Sequence, residues 1–365
     1  MTTQWRDPIT GINPFLPTKS RKELSSLRLA LSSVKNNVAG PLISCVKLFF
    51  IVLLYTTAAL FFRLEFMLLL IANPVVSQSY RAAVSFVFGR AALFMLGFYN
   101  IPSEQAWSTK GQVPANNKLC QKYYCPNNIF FSHSLRKRHE LKKSTSTTIE
   151  SGDIIVANHT SYIDILYLFT FFSPVFTQIS AQTGRVCQIP VHHALMRTGE
   201  YPDLNPPQCT QTLAELCDIA RNQRLGPVVV FPEATTTNGR ALLQFTRVLD
   251  GIDAKHGSYK IHIIALKYIF DEYAPTYTIG GKFSHLIGLG AQFYNTLSVK
   301  ICFYSPANFD GKYDANDTSD AKMSHYTSVP VQTLVSQMTK LKFTSFDIND
   351  KKEFFDFLQA RDEGR

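Results

Sequence analysis

The chain has 365 residues, 45% of them hydrophobic, and its 37 Lys and Arg against 27 Asp and Glu give a formal net charge of +10. That length suits one sizeable α/β domain plus an apolar anchoring segment, and the basic balance suits anionic phospholipid surfaces and phosphate-bearing ligands. Nucleic acid is set aside as a partner, because no finger, aromatic RNA-binding motif or basic recognition helix accompanies the charge; the seven Cys, odd in number and scattered, form neither a zinc motif nor a disulfide framework.

Residues 1–40 read as a basic cytosolic segment, with Lys19, Arg21, Lys22, Arg28 and Lys35. A charge-free run over 48–62 follows Lys47, is broken at Arg63-Leu64-Glu65 and resumes over 66–72; a second apolar run, 82–101, is interrupted by Arg90. A spanning helix needs about 20 apolar residues and a charge at mid-bilayer is costly. Residues 41–101 are therefore expected to form a membrane-associated helical hairpin or an interfacial helix pair, with a buried pair in a soluble domain as the alternative. Basic residues flank both sides, Lys110, Lys118, Lys122, Arg136, Lys137 and Arg138 on the second, so both flanks are expected on the cytosolic side. The segment is not a signal peptide, because basic and polar residues precede it at length. Residues 136–148, basic and then rich in Ser and Thr, read as a solvated loop.

Residues 102–365 are expected to form an α/β domain. Asp153-Ile154-Ile155-Val156-Ala157 reads as a short buried strand and 165–169 as an apolar helix, which leaves Asn158-His159-Thr160-Ser161-Tyr162-Ile163-Asp164 on the turn between them. Turns at the carboxyl ends of strands are where open α/β sheets hold ligands. With His159 before the helix and Asp164 in its first turn, the carboxylate can accept from one ring nitrogen and leave the other as a base. The same residues also satisfy a helix-capping box, Ser161-x-x-Asp164, which needs no chemistry.

Further along, His192-His193 lacks a metal constellation, and residues 212–221 carry the apolar spacing of an amphipathic helix. The run 227–231 reads as a second buried strand that ends in Pro232-Glu233-Ala234-Thr235-Thr236-Thr237-Asn238-Gly239-Arg240, a polar cradle or an ordinary strand-to-loop turn. Residues 261–266 and 297–303 are expected strands, with His262 structural; 329–341 is an expected helix. The acidic stretch with Asp347, Asp350, Glu353 and Asp356 reads as a solvated amphipathic helix.

On Asn158, His159, Ser161 and Asp164, followed by Phe231, Pro232, Glu233 and Thr235, the chain resembles the glycerolipid acyltransferase family, and within it the fungal enzymes that transfer the oleoyl group of oleoyl-CoA to lysophosphatidic acid. Ala234 stands where that family usually has Gly. Thr236 stands where its phosphatidic-acid-forming branch often has Arg, and the continuation to Gly239 is closer to the branch acting on lysophosphatidylcholine or lysophosphatidylethanolamine. The family's intermediate Gly and Arg block is only faintly echoed by Gly184, Arg185 and Arg197.

The resemblance implies a mixed sheet flanked by helices, direct acyl transfer from acyl-CoA as co-substrate without metal or redox cofactor, and a lysophospholipid acceptor at a phospholipid membrane surface. It implies His159 as general base, Asp164 as its orienting partner and Glu233 and Thr235 as substrate-positioning residues; Arg240 or Arg247 could supply a cation for phosphate. Lysophosphatidic acid is the first acceptor expected, the zwitterionic lysophospholipids the second; a non-catalytic membrane-binding or trafficking role is the third reading. The expected location is the cytosolic face of the endoplasmic reticulum membrane, and a hairpin without a luminal domain also suits a lipid droplet monolayer.

Overall fold

The computed structural model describes residues 4–18, 39–69, 73–105, 148–252, 259–304 and 325–363. The expected basic flanks at 19–35 and 110–138, and most of the Ser/Thr-rich loop, lie outside the described residues. In chain order the elements are α1 (Gly40–Leu69), α2 (Pro74–Met95), β1 (Ser103–Gln105), β2 (Ile154–Ala157), α3 (Tyr162–Phe172), β3 (Val175–Ile179), β4 (Val186–Ile189), α4 (Val191–Arg197), α5 (Leu213–Asn222), β5 (Val228–Val230), β6 (Ala241–Leu242), β7 (Ile261–Ile269), α6 (Lys282–Gly290), β8 (Thr296–Tyr304), α7 (His325–Thr339), β9 (Lys342–Phe343) and α8 (Ile348–Glu363).

Strand β2 is covered on both faces, with Ile154 and Val156 in one apolar cluster and Ile155 and Ala157 in the other. That double burial is why its sequence is a continuous apolar run rather than an alternating one. The seven-stranded sheet runs β1-β8-β7-β2-β5-β3-β4. Strands β7, β2, β5 and β3 are parallel neighbours, whereas β8 pairs antiparallel with β7 and β4 antiparallel with β3. The sheet is therefore mixed and flanked by helices, as expected. The parallel carboxyl ends of β2 and β5 carry both motif turns to one edge of the sheet.

Most of the expected elements are present, with shifted ends. Helix α5 begins after Thr212, whose hydroxyl accepts from the Glu215 N–H at 3.3 Å while the Glu215 carboxylate accepts from the Thr212 N–H at 2.7 Å. The apolar face Leu213, Leu216, Cys217 and Ala220 is buried as its spacing requires. Helix α2 begins well before the apolar run at 82, because the Asn73 side chain caps the Val75 N–H at 3.0 Å and Pro74 takes the first helical position. His262 pairs with Asp153, Nε2 to Oδ2 at 3.3 Å, in a buried structural contact.

Among the described residues α1 is the one helix long and apolar enough to cross a membrane. Leu42, Val46, Phe49, Phe50, Val52 and Leu53 on it are exposed, a continuous apolar surface of the kind that marks a lipid or protein contact. Its other side is tied to the α/β domain: the Lys47 ammonium donates to the Gly290 and Gln292 carbonyls at the end of α6, both at 2.9 Å. Helix α2 lies against the domain along its length. Gln78 donates to Ser151, Arg81 donates to the Arg224 carbonyl, and Ser85 meets Ser173 at 3.1 Å. Gly89 allows α2 to approach α3 closely, since a Cβ there would collide with the Thr170 hydroxyl. Helix α2 thus lies along the domain, while α1 meets it on one side and leaves most of its apolar surface exposed.

A third apolar cluster joins segments distant in sequence: Trp5 and Phe15 pack with Leu243 and with Phe354 of α8. Asp7 fastens this contact. Its carboxylate accepts from the Ser345 N–H at 2.8 Å, the Ser345 hydroxyl at 2.7 Å and the Thr10 N–H at 2.7 Å. Burial alone would raise the Asp7 carboxyl, but these hydrogen bonds outweigh it and hold the group well below the usual carboxylate range. A carboxylate with a depressed folded-state pKa contributes stability above its unfolded value that is lost as pH falls toward the folded one. Asp7→Asn is therefore expected to lower stability at pH 7 by about 1–3 kcal/mol, with the gap from the parent closing as the pH drops below about 4. Urea unfolding at pH 7 and at pH 3 checks this, and a gap independent of pH would contradict it.

Candidate active site

The site is built on the turn that leaves β2. Asn158 closes that strand against β7: its amide nitrogen donates to the Leu266 carbonyl at 3.0 Å and its oxygen accepts from the Leu266 N–H at 2.8 Å. The next residue, His159, is then held at the sheet edge, 7% exposed. Its ring stacks on Phe231, which ends β5, with centroids 4.3 Å apart and planes inclined by 22°.

Helix α3 supplies the partner. Ser161 is its N-cap, accepting from the Ile163 N–H at 3.2 Å and donating its own hydroxyl to the Pro275 carbonyl at 2.6 Å. Asp164 sits at the third helical position, fully buried, and one oxygen accepts from the Thr160 N–H at 2.6 Å and the Ser161 N–H at 2.8 Å. The same oxygen lies 3.2 Å from His159 Nδ1. The capping box and the His–Asp pair are therefore not alternatives. The other oxygen accepts from the Tyr268 hydroxyl, whose pKa is raised well above its ordinary value by burial and by the Asp164 charge, so it stays a donor. With the Nδ1 proton donated to Asp164, the imidazole presents Nε2 on its opposite edge as the basic nitrogen.

The second motif turn closes over this pair. The Thr237 N–H donates to the His159 carbonyl at 3.0 Å, and Thr246 donates to the Pro232 carbonyl through both its N–H, at 2.8 Å, and its hydroxyl, at 3.0 Å. Glu233 is buried; its Oε2 accepts from the Leu243 N–H at 2.9 Å, and its Oε1 has no hydrogen-bond partner among the described residues. Burial pushes its carboxyl up to about 8, against the opposing effect of hydrogen bonds and the Lys351 charge. Burial thus favours the protonated form of Glu233, which can donate as well as accept. Ala234 takes a left-handed conformation, φ +52°. That geometry explains why the resemblance leads one to expect Gly here.

A cleft opens beside the pair, lined by His159, Phe231, Thr235 and Thr236 together with Arg197 and Asp203. Arg197, from the end of α4, lies 3.3 Å from Asp203. Of the expected site residues, His159 and Thr235 line this cleft, and Asp164 and Glu233 stand behind it. Arg240 does not join them: it lines a separate cavity with Thr160, Lys267 and Tyr268. Arg185 donates to the Thr210 carbonyl, and Gly184 packs against Arg247, so neither of these lines the cleft. Tyr268 and Lys351 escaped the sequence reading. Tyr268 follows the expected strand 261–266 by two positions, and β7 simply continues to it. Lys351 donates to the Thr236 carbonyl and hydroxyl from within α8, and nothing in the local sequence points there.

Residues 135–266 match the protein-family model described as Acyltransferase, a span that holds both motif turns. A Schizosaccharomyces pombe protein named "Putative lysophosphatidic acid:oleoyl-CoA acyltransferase" is 30% identical over 131 residues, 34% of this chain and 43% of that protein. The chain thus spans less than half the length of that curated relative. The crystal structure of the 1-acyl-sn-glycerophosphate (LPA) acyltransferase PlsC from Thermotoga maritima aligns at 14% identity with a TM-score of 0.40, covering 83% of this chain and 97% of that one. The resemblance read from the two motifs coincides with the Acyltransferase match over the same residues.

The left-handed turn gives a stability prediction. Ala234→Gly removes about 1–2 kcal/mol of left-handed strain and gives back about 0.4–1 kcal/mol through the freer unfolded chain. The variant is expected to unfold at a higher urea concentration than the parent; an equal or lower midpoint would contradict strain at this turn.

Proposed function

We propose that this protein transfers an acyl chain from acyl-CoA to the sn-2 hydroxyl of a lysophospholipid, with oleoyl-CoA as donor and lysophosphatidic acid as first acceptor. The observation that carries this reading is the buried His159–Asp164 pair at the carboxyl end of β2, with Nδ1 engaged and the cleft beside the ring. His159 Nε2 takes the hydroxyl proton as the acceptor oxygen bonds to the thioester carbon. Asp164 fixes the tautomer and offsets the imidazolium charge. The tetrahedral oxyanion collapses, the carbon–sulfur bond breaks, and the departing CoA thiolate recovers the proton from the imidazolium, so the products are phosphatidic acid and CoA. No serine or cysteine nucleophile is needed, because the acceptor brings its own hydroxyl. Glu233, behind the cleft wall with its Oε1 without a partner among the described residues, serves to orient the neighbouring groups that meet the glycerol portion.

Membrane access in this reading comes from the exposed apolar face of α1, which suits a seat at a lipid surface. The cytosolic face of the endoplasmic reticulum membrane is the location this reading takes, with the lipid droplet monolayer as a second. A zwitterionic acceptor is the second reading of the chemistry. It is favoured by the mixed charge at the cleft, where Arg197 stands with Glu200 and Asp203.

Purified protein in mixed micelles, given labelled oleoyl-CoA and each lysophospholipid separately, tests the proposal. Transfer to lysophosphatidic acid is expected, with His159→Ala lowering kcat by about 10²–10⁴-fold and Asp164→Asn by a loss of similar order through the wrong tautomer. Preference for lysophosphatidylcholine or lysophosphatidylethanolamine would keep the mechanism and change the acceptor. Full activity in folded His159→Ala would overturn the base assignment, and no transfer by folded parent protein would favour a non-catalytic membrane role.

A further inference from the structure

Helix α8 is polar in sequence, yet Lys351 in its first turns is 0% exposed. Its Nζ donates to the Thr236 carbonyl at 2.6 Å and to the Thr236 hydroxyl at 2.8 Å, and lies 5.9 Å from the centre of the Phe355 ring. Burying an ammonium is expensive unless it is hydrogen-bonded and paired, so its presence here calls for a return elsewhere in the molecule. The atoms it holds belong to the turn that faces His159 across the cleft. The next residues of that turn are held from the same quarter: Asn238 donates through its side chain to the Asn13 and Leu16 carbonyls, both at 2.8 Å, and through its N–H to the Pro14 carbonyl at 2.9 Å. Segment 4–18 and α8, which pack together through Trp5, Phe15 and Phe354, thus grip the turn from behind.

We infer that Lys351 is a positioning residue of the acyl-transfer site, fixing the Thr235–Thr236 wall of the cleft against His159. Only the kinetic part of this inference rests on the acyltransferase reading. The charged groups that act on Glu233 are Lys351 from α8 and Asp164 from α3, with a further backbone hydrogen bond from the His159 turn. Burial pushes the Lys351 ammonium down to about 7, opposed by the Glu233 carboxylate. Each charge therefore favours the other, and loss of the ammonium leaves the Glu233 proton bound to higher pH.

The full chain carrying Lys351→Met tests this, alongside Thr236→Val, which removes the hydroxyl acceptor at nearly constant volume. Both are first checked for a cooperative unfolding transition, because removing one partner of a buried polar contact is costly. For Lys351→Met we expect kcat to fall by about 10²-fold with KM for oleoyl-CoA little changed. The pH limb governed by Glu233 should shift upward, and amide hydrogen exchange should quicken at residues 234–238. Thr236→Val should show the same faster exchange with a smaller loss of kcat, and it decides the question if the Met variant does not fold. Unaltered exchange at 234–238, or parental kcat with a parental pH profile, would overturn the inference. If the parent itself transfers no acyl group, the functional reading fails while the exchange measurement still decides the role of Lys351.

Discussion

A single buried carboxylate organises this protein. Asp164 is fully buried, so its two oxygens must find donors within the fold, and it finds them in the Thr160 and Ser161 N–H groups, the Tyr268 hydroxyl and His159. Those donors come from the β2–α3 turn, the helix start and the far end of β7. One side chain thereby ties how the helix leaves the sheet, which strand lies beside β2 and which way the imidazole faces. The helix contributes too, because a negative charge in its first turn is favoured by the unsatisfied N–H groups there. The cap and the His159 contact share the same atoms, and a fold that kept the cap would keep the orientation of the imidazole without further provision.

The legible part of the sequence was the part whose meaning is local. Residues 153–157 and 227–231 are apolar runs between polar turns, and both became central strands; Thr212-x-x-Glu215 announced the start of α5. His159 and Asp164 were legible because their spacing has meaning on a single turn. Arg240 was expected near the reacting groups from its place in the motif, but the turn carries it past the cleft into a neighbouring cavity with Lys267. Side-chain direction after a left-handed residue such as Ala234 does not follow from spacing. Lys351 was hidden for a different reason. Ile348, Lys351, Phe354 and Phe355 have the spacing of a buried helical stripe, with a cation at one of its positions among the acidic residues Asp347, Asp350 and Glu353. A charged residue in that stripe reads as solvent-facing until its long-range partner is known.

The apolar residues of α1 and α2 also held two kinds of information that composition cannot separate. Their outward side reads as membrane contact, and their inward side is a packing surface with a glycine notch at Gly89 and cationic ties at Lys47 and Arg81. Lys47 and Arg81, each just ahead of an apolar run, are residues that fasten the helices to the domain. Charges that would be expensive in the centre of a bilayer are satisfied here by backbone carbonyls of the domain.

The grip of α8 on the cleft has a consequence in time. Helix α8 begins at residue 348 and α1 ends at residue 69, so at about 5–20 residues per second of synthesis the two emerge roughly 15–55 s apart. For that interval the apolar helix can meet a lipid surface while the turn bearing Glu233 still lacks the ammonium that holds Thr236. Order of synthesis therefore separates the emergence of the apolar helix from the fastening of the turn, which stays without its ammonium until α8 is made.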